Sequence, residues 1–294
     1  MSVRVEIDPH SGFCGGVIRA IAAAEDFLDG NGELYSLGAI VHNEEELSRL
    51  GRKGLITVGK DFLRQDGRGK TLLIRAHGEP PETYAQAAEG GFNVIDCTCP
   101  VVLQLQRRIR EAYGRIRETG GTLIIFGKIG HAEVLGLLGQ VGGDAGVVEH
   151  LPMLEEAIAG GRVRLDGPVE VFSQTTKSPT EYAVLCARLQ ELMPDAGLLK
   201  VHDTICSQVA MRHKHLTEFA SAHDVIIFVS GASSSNGKVL SDLCRSVNPR
   251  TWLVGGPEEI QPSWFEGSDS VGVCGATSTP KWLLEEVASA IASA

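Results

Sequence analysis

The chain has 294 residues, of which 43% are hydrophobic and 5% aromatic, and its formal net charge at pH 7 is -10. This length and apolar content suffice for two or three folded units, and 35 glycines favour the many short connections of an α/β protein. The negative charge disfavours nucleic acid as a partner, and no apolar run approaches the roughly 18 residues of a membrane span. We therefore expect a cytoplasmic protein without nucleic-acid or membrane partners.

Three segments of the chain follow the same order of features: an apolar strand, a cysteine and an amphipathic helix. They read VRVEIDPHSGFC before GGVIRAIAAAEDFL, FNVIDCTC before PVVLQLQRRIREAYGRI, and LLKVHDTIC before SQVAMRHKHLTEFASAH. Apolar residues recur in the first two helical segments with the period of an α-helix. The pattern predicts that Cys14, Cys99 and Cys206 each stand at the start of a helix.

Two further apolar strands with polar ends follow each of these helices. The first strand of each pair lies in ELYSLGAIVHN, TLIIFGKIGHAE and DVIIFVSGASSSN, and the second in TLLIRAHGEPP, VEVFSQTTKSPTEY and SVGVCGATSTP. A proline then opens another helix, where its missing N–H does no harm. The sequence predicts three pseudo-repeated α/β units, each with a small, mainly parallel sheet, in a trefoil-like arrangement around a central site.

The predicted units span residues 14–97, 98–202 and 203–294, and the N-terminal strand within residues 1–13 could join the third unit. Ligand-binding residues in open α/β sheets cluster beyond the carboxyl ends of the strands. We therefore expect the polar strand ends to converge on one cavity.

Seven cysteines are an odd number in a reducing compartment, which disfavours a disulfide framework. The positive end of a helix favours the thiolate, which is the metal-binding form of cysteine. Three such thiolates could hold three irons of a 4Fe-4S cluster and leave the fourth iron open to a substrate, but zinc would accept the same ligands. The other cysteines are predicted to be packed in the interior: Cys97, Cys186, Cys244 and Cys274.

The polar strand ends carry donors and acceptors with few permanent charges. They are His42, His77, His131, Glu133, Thr175, Thr176, Ser234, Ser235, Asn236 and Ser278. Taken singly, a histidine is usually a structural hydrogen bonder, SSSNG an ordinary mobile loop and Glu133 a solvated carboxylate. Taken together, they predict a site for an anion such as a phosphate, with one acid beside it.

These residues resemble the 4-hydroxy-3-methylbut-2-enyl diphosphate reductases of the non-mevalonate isoprenoid pathway, also called LytB or IspH proteins. The motifs GFCGGVIRAI, AIVHN, RAHGEP, DCTCP, GHAEVLGLLGQ, SQTT, DTIC, SSN and ATSTP follow in the family's order over nearly the whole chain. A cysteine, Cys97, stands in DCTCP where the family usually has alanine, and the loop before SSN is shorter than its common form.

The resemblance implies a three-lobed α/β fold and the reduction of (E)-4-hydroxy-3-methylbut-2-enyl diphosphate to isopentenyl and dimethylallyl diphosphate. It implies that a 4Fe-4S cluster is bound by Cys14, Cys99 and Cys206. It assigns the substrate's diphosphate to His42, His77, Ser234, Asn236 and Ser278, with His131 lining the site and Ser235 as a neighbour in the same motif. Glu133 would supply a proton, and Thr175 would orient the substrate hydroxyl or its water.

Two alternatives stay open beside the reductase. A quinolinate synthase-like lyase also uses three α/β units and three cysteines, and an iron-sulfur sensor would need no anion site. As partner we expect an acidic electron donor such as a ferredoxin or flavodoxin. The helix that carries Arg107, Arg108, Arg110, Arg115 and Arg117 could dock it or could simply be a solvated helix face.

Overall fold

Short apolar strands, four of them buried over their whole length, supply the interior of the described part of the protein. In the computed structural model, which describes residues 3–293 except for the side chains of Asn31 and Ser235, these strands alternate with helices. Every strand pairing whose register is defined is parallel, which is the arrangement that helical crossovers impose. The predicted α/β class is therefore confirmed.

The elements follow one another in strict alternation over most of the chain. In order they are β1 (Arg4–Ile7), α1 (Gly15–Asn31), β2 (Leu34–Leu37), α2 (Glu44–Lys53), β3 (Leu55–Val58), β4 (Thr71–Ile74), α3 (Pro81–Glu89), β5 (Asn93–Asp96), α4 (Pro100–Thr119), β6 (Thr122–Phe126), α5 (Ala132–Gly139), β7 (Gly146–Val148), α6 (Leu151–Ala159), β8 (Val169–Ser173), α7 (Pro179–Leu192), β9 (Leu199–Val201), α8 (Ser207–Ser221), β10 (Val225–Val229), α9 (Ser235–Val247), β11 (Thr251–Val254), β12 (Ser270–Gly275) and α10 (Lys281–Ser293). Short 3₁₀ turns lie at Lys60–Arg64, Ala196–Leu198, Pro257–Glu259 and Pro262–Phe265.

The strands form three four-stranded sheets, as the threefold repeat predicts. One sheet has the order β1-β12-β10-β11 and another the order β7-β6-β8-β9. Strands β2 to β5 form the remaining sheet, in which β2 pairs with β3 and β4 with β5. The N-terminal strand β1 thus pairs with β12, near the C-terminal end of the chain.

The chain divides into two compact units. The first unit comprises Met1–Val58 and Ser207–Ala294, and the second comprises Gly59–Cys206. The three-domain boundaries predicted from the sequence stay a prediction beside this division.

Alternating residues of the central strands bury opposite faces of each sheet, because successive side chains of a strand point to opposite sides. In the second unit, Ile125 of β6 packs with α4 and α5, whereas Ile124 packs with α6 and α7. In the first unit, Ile227 of β10 packs with α10, whereas Phe228 packs with α8 and α9. Both sheets are therefore covered on both faces, and their strand ends are left to form sites.

Among the described residues, no helix combines the length and apolar content that a membrane span requires.

Candidate functional site

The three cysteines singled out by the repeat all stand at helix starts. Cys14 is the N-cap of α1, Cys99 is the N-cap of α4, and Cys206 directly precedes α8. None of the three forms a disulfide, and the residues are half-buried. The prediction of three helix-start cysteines is confirmed by this placement.

Each of these cysteines is fixed by the same backbone contact. Its N–H donates to a carbonyl in the loop that follows a sheet strand, over 3.3 Å for Cys14, 3.0 Å for Cys99 and 2.9 Å for Cys206. The accepting residues are Thr277 after β12, Ala76 after β4 and Thr175 after β8. Each cysteine is therefore held beside a polar strand end that the sequence marks as part of the site.

Cys97 has a different environment from Cys99. Its N–H donates to Ile74 over 2.8 Å and so continues the ladder between β4 and β5, and the residue is only 5% exposed. Cys99 follows two residues later, where the ladder has ended and the helix begins. The second of the two cysteines therefore matches Cys14 and Cys206, and the first is part of the interior.

The remaining cysteines are packed as expected. Cys244 and Cys274 are fully buried in the core that α8, α9 and β12 share. Cys186 is half-buried against the core of the second unit, and burial raises the pKa of its thiol to about 11. A neutral thiol binds metals poorly, which agrees with a packing role.

Glu133 is buried in the second unit, with only 2% of its surface exposed. Taken singly, a glutamate two residues after a histidine is expected to be solvated, so the fold departs from that expectation. Its carboxylate accepts hydrogen bonds from the N–H and the hydroxyl of Thr175, each over 2.7 Å. Burial raises the pKa of Glu133 to about 7, and the two hydrogen bonds from Thr175 oppose that shift. The side chain can therefore hold or release a proton near neutral pH.

Two histidines lie in the same part of the second unit. His131 caps α5, and its Nδ1 accepts from the N–H of Glu133 over 3.2 Å. The neutral ring then carries its proton on Nε2, which is a donor. The ring of His77 meets that of His131 edge-on, with 5.4 Å between centroids. The second unit thus brings together His77, His131, Glu133 and Thr175.

Ser234 and Ser278 meet at the start of α9 in the first unit. Ser234 is the N-cap and accepts from the N–H of Gly237 over 3.0 Å, and its hydroxyl lies 3.1 Å from that of Ser278. Gly237 has no room for a side chain, because a Cβ there would overlap the hydroxyl of Ser230. SSSNG is therefore the start of a helix and not simply a mobile loop, and a helix start of this kind favours an anion.

Asn236 belongs to the same helix start. Its Nδ2 donates to the hydroxyl of Thr277 over 2.9 Å, and its Oδ1 is buried without a hydrogen-bond partner among the described residues. An amide flip would let the Thr277 hydroxyl donate instead and would turn the NH₂ group towards a ligand. Thr277 is absent from the residues predicted from the sequence, although its place beside Ser278 in ATSTP was a signal for it.

The loop that contains His42 contacts the loop before α9, which contains Gly231 and Ser233. Glu44 accepts from the Ser233 hydroxyl over 2.9 Å, and a Cβ added to Gly231 would lie 2.7 Å from the carbonyl oxygen of His42. The first unit therefore brings the His42 loop close to the start of α9. The side chain of Ser235, which the sequence also predicts at this site, lies outside the described residues.

The fold and these residues define an α/β protein that carries cysteines at three helix starts and hydrogen-bond donors at the ends of its strands. The model of the LytB protein family matches residues 5–292. The chain belongs to the LytB family, as its sequence motifs predict.

Relatives named 4-hydroxy-3-methylbut-2-enyl diphosphate reductase match over nearly the full length of both proteins. One from Bacteroides fragilis is 48% identical over 289 residues, which is 98% of this chain and 97% of the relative. One from Porphyromonas gingivalis is 46% identical over 291 residues, which is 98% of both chains.

Two solved structures are similar as well. A structure of (E)-4-hydroxy-3-methyl-but-2-enyl diphosphate reductase, described as the terminal enzyme of the non-mevalonate pathway, has a TM-score of 0.70 and 32% identity over 99% of this chain and 100% of its own. The E-1-hydroxy-2-methyl-but-2-enyl-4-diphosphate reductase from Plasmodium falciparum has a TM-score of 0.84 over 97% of this chain and 86% of its own. At 23% identity, the second likeness supports the fold alone.

Proposed function

We propose that this chain reduces (E)-4-hydroxy-3-methylbut-2-enyl diphosphate to isopentenyl and dimethylallyl diphosphate. The reaction breaks the allylic C–O bond: the alcohol takes up two electrons and two protons and yields the alkene and water. The relatives' name supports the substrate, and the observation that carries the chemistry is the buried Glu133–Thr175 pair, whose acid titrates near neutrality. The match to the LytB family favours this reaction over a quinolinate synthase-like lyase or a sensor.

The donor set fits an iron-sulfur cluster. Cys14, Cys99 and Cys206 form no disulfide, are half-buried and are placed alike at helix starts, where a thiolate is favoured. We assign to them a 4Fe-4S cluster, which supplies electrons and an iron without a protein ligand when it is bound. Zinc also accepts three cysteines but has no redox chemistry, so it could not itself pass on the electrons of this reduction.

The chain offers two groups of donors for the diphosphate. In the first unit, Ser234, Asn236 and Ser278 surround the start of α9, and the His42 loop lies against them. In the second unit, His77 and His131 supply ring N–H groups. The hydroxyl and amide donors at the helix start of the first unit and the imidazole donors of the second unit are all groups that can bind an anion without a permanent charge, and Ser235 belongs to the same proposal. Binding energy from the diphosphate would position the reacting end of the substrate.

Glu133 and Thr175 are proposed to handle the proton. A carboxyl with a pKa of about 7 is protonated in a large share of molecules at neutral pH, so it can donate to the leaving hydroxyl. Thr175 holds the carboxyl through both its N–H and its hydroxyl, and that hydroxyl is placed to orient the substrate oxygen or the water formed from it. His131 fixes the start of the helix that carries Glu133.

The substitution Glu133→Gln tests this assignment. Glutamine keeps the size and a hydrogen-bond acceptor but cannot donate the acidic proton, so we expect turnover with methyl viologen to fall about 100-fold or more while the cluster's absorption spectrum stays unchanged. Glu170→Gln is the matched control, because Glu170 is another buried carboxylate of the second unit and has no proposed role in the reaction. Equal turnover in Glu133→Gln and the wild type would remove Glu133 from the proton path.

The raised pKa of Glu133 predicts the direction in which turnover changes with pH. Because the active form of Glu133 is the protonated one and its pKa is raised to about 7, turnover should fall as the pH rises through 7. Reduced methyl viologen is a suitable electron donor because its oxidation releases no proton. The fall should disappear in Glu133→Gln, which has no carboxyl to titrate.

We further propose that the electrons come from an acidic ferredoxin or flavodoxin and that the protein works in the cytoplasm. Seven cysteines that form no disulfide, three of them assigned to a cluster, suit a reducing compartment.

A further inference from the structure

The arginine-rich face of α4 is largely occupied by contacts within the second unit. Arg115 forms a bidentate pair with Glu170, at 2.9 and 3.1 Å, and Arg108 reaches His202 and the carbonyl of Asp203. Arg107 faces Glu111, and Arg110 donates to Gln140. Four of the five arginines of α4 thus have a partner within the second unit, and both docking at this helix and a solvated helix face stay predictions.

A cavity of about 170 Å³ in the first unit opens directly onto Cys14. We call it the Cys14 mouth, and it is lined by His10, Phe13, Cys14, Gln208, Met211, Arg212 and His215. The rings of His10 and His215 stack with 4.0 Å between centroids and form one wall. Arg212 holds the loop before α1 in place by donating a hydrogen bond to the carbonyl oxygen of Gly12 over 2.8 Å. The mouth brings the surface of the first unit to a proposed cluster ligand.

Large apolar side chains are exposed in the first turns of the helices that follow the cysteines. In the first unit, Met211 of α8 is 55% exposed and Ile18 of α1 is 53% exposed. In the second unit, Leu103 stands at the same position of α4 as Ile18 does of α1 and is 45% exposed. Exposed methionine and aliphatic side chains beside polar groups are typical of the centre of a protein interface.

Basic groups accompany the Cys14 mouth, although the whole chain carries a formal charge of -10. Lys214 of helix α8 is 76% exposed and lies 4.0 Å from the exposed carboxylate of Glu218, a pair that solvent screens. Lys281 of α10 lies against the same loop, because a Cβ on Gly12 would be 3.4 Å from its Cγ. Lys214 and Lys281 are therefore the cations near the Cys14 mouth that could attract and orient an acidic partner.

We propose that the Cys14 mouth, with Met211 at its rim and Lys214 beside it, is the docking surface for a small acidic protein that carries one electron at a time. This inference rests on the proposed function. Each encounter oxidises the reduced carrier and passes one electron to the cluster beside Cys14, so two encounters supply the two electrons of a turnover. The apolar rim would exclude water at the centre of the contact, and the basic groups would set its orientation.

The test compares Met211→Glu and Lys214→Glu with Val247→Glu in the cluster-loaded protein. Val247 is a matched control, because it is an exposed apolar residue of the same unit at the far end of α9. A purified acidic ferredoxin is the probe, and its dissociation constant is measured by titration calorimetry at low and high salt. Turnover is measured in parallel with that ferredoxin and with methyl viologen, which needs no docking surface.

We expect both variants at the mouth to weaken ferredoxin binding by about tenfold and to raise its KM by a similar factor. Turnover with methyl viologen should be unchanged, Val247→Glu should behave like the wild type, and salt should weaken wild-type binding. Unchanged ferredoxin binding in both mouth variants, or an equal loss in Val247→Glu, would overturn the docking surface and leave the proposed function intact. Absence of turnover with methyl viologen in the wild type would instead overturn the proposed function.

Discussion

Glu133 shows how far a single residue can be interpreted from the sequence. Its spacing from His131 marks it as a candidate, but a carboxylate two residues after a histidine is by default solvated. The fold buries it, and Thr175, 42 positions away in the chain, supplies both of its hydrogen bonds. No local pattern can give that partner or the raised pKa, because both depend on the approach of β8 to the start of α5.

Substitution of Cys97 and of Cys99 tests which of the two cysteines binds the cluster. The Cys99→Ser variant should lose most of its iron and sulfide after anaerobic reconstitution, because it removes the helix-start thiol that matches Cys14 and Cys206. The Cys97→Ser variant should keep the cluster and lose only about 1–2 kcal/mol of stability through the buried hydroxyl.

Iron and acid-labile sulfide analysis on both variants decides between the two cysteines. Cluster loss in Cys97→Ser with retention in Cys99→Ser would show that the ligand is the interior cysteine and that the register drawn from the threefold pattern is displaced.

At the scale of elements, the helix starts were the features most open to prediction. Proline at the first helical position opens α3, α4 and α7, and serine caps α7 and α9. These are local signals, since a cap satisfies N–H groups of its own first turn. The role of Thr277 was not accessible in this way, because its contact with Asn236 joins two elements that are distant in sequence.

Ser178 and Ser234 are both N-caps, so substituting each of them distinguishes the structural role of a cap from a role in substrate binding. Both Ser234→Ala and Ser178→Ala remove a cap, so each should cost about 1 kcal/mol of unfolding free energy. Only Ser234 also meets Ser278 at the proposed diphosphate site, so only Ser234→Ala should raise the KM for the substrate, by about tenfold or more.

Denaturant titration and steady-state kinetics measure the two effects separately. A similar rise in KM for Ser178→Ala would mean that the loss in Ser234→Ala reports general destabilisation and not substrate binding.

For the whole molecule, the threefold order of strand, cysteine and helix predicted the three parallel sheets and the places of the three cysteines. It could do so because amphipathic period, proline and polar strand ends are all encoded locally. The pairing of β1 with β12 could be predicted only as one option, because no local pattern shows that the two ends of the chain pair with each other. The occupied arginines of α4 were also beyond prediction, because Glu170 and His202 come from strands of the sheet and its following loop.

The most direct measurement of the central claim is anaerobic Mössbauer spectroscopy of the protein reconstituted with enriched iron, with and without the diphosphate substrate. Three cysteine ligands leave one iron of a 4Fe-4S cluster without a protein ligand, so we predict four cluster irons, of which one alone changes its parameters when the substrate is added. Failure to assemble such a cluster, or a substrate that turns over without changing any iron site, would contradict the account.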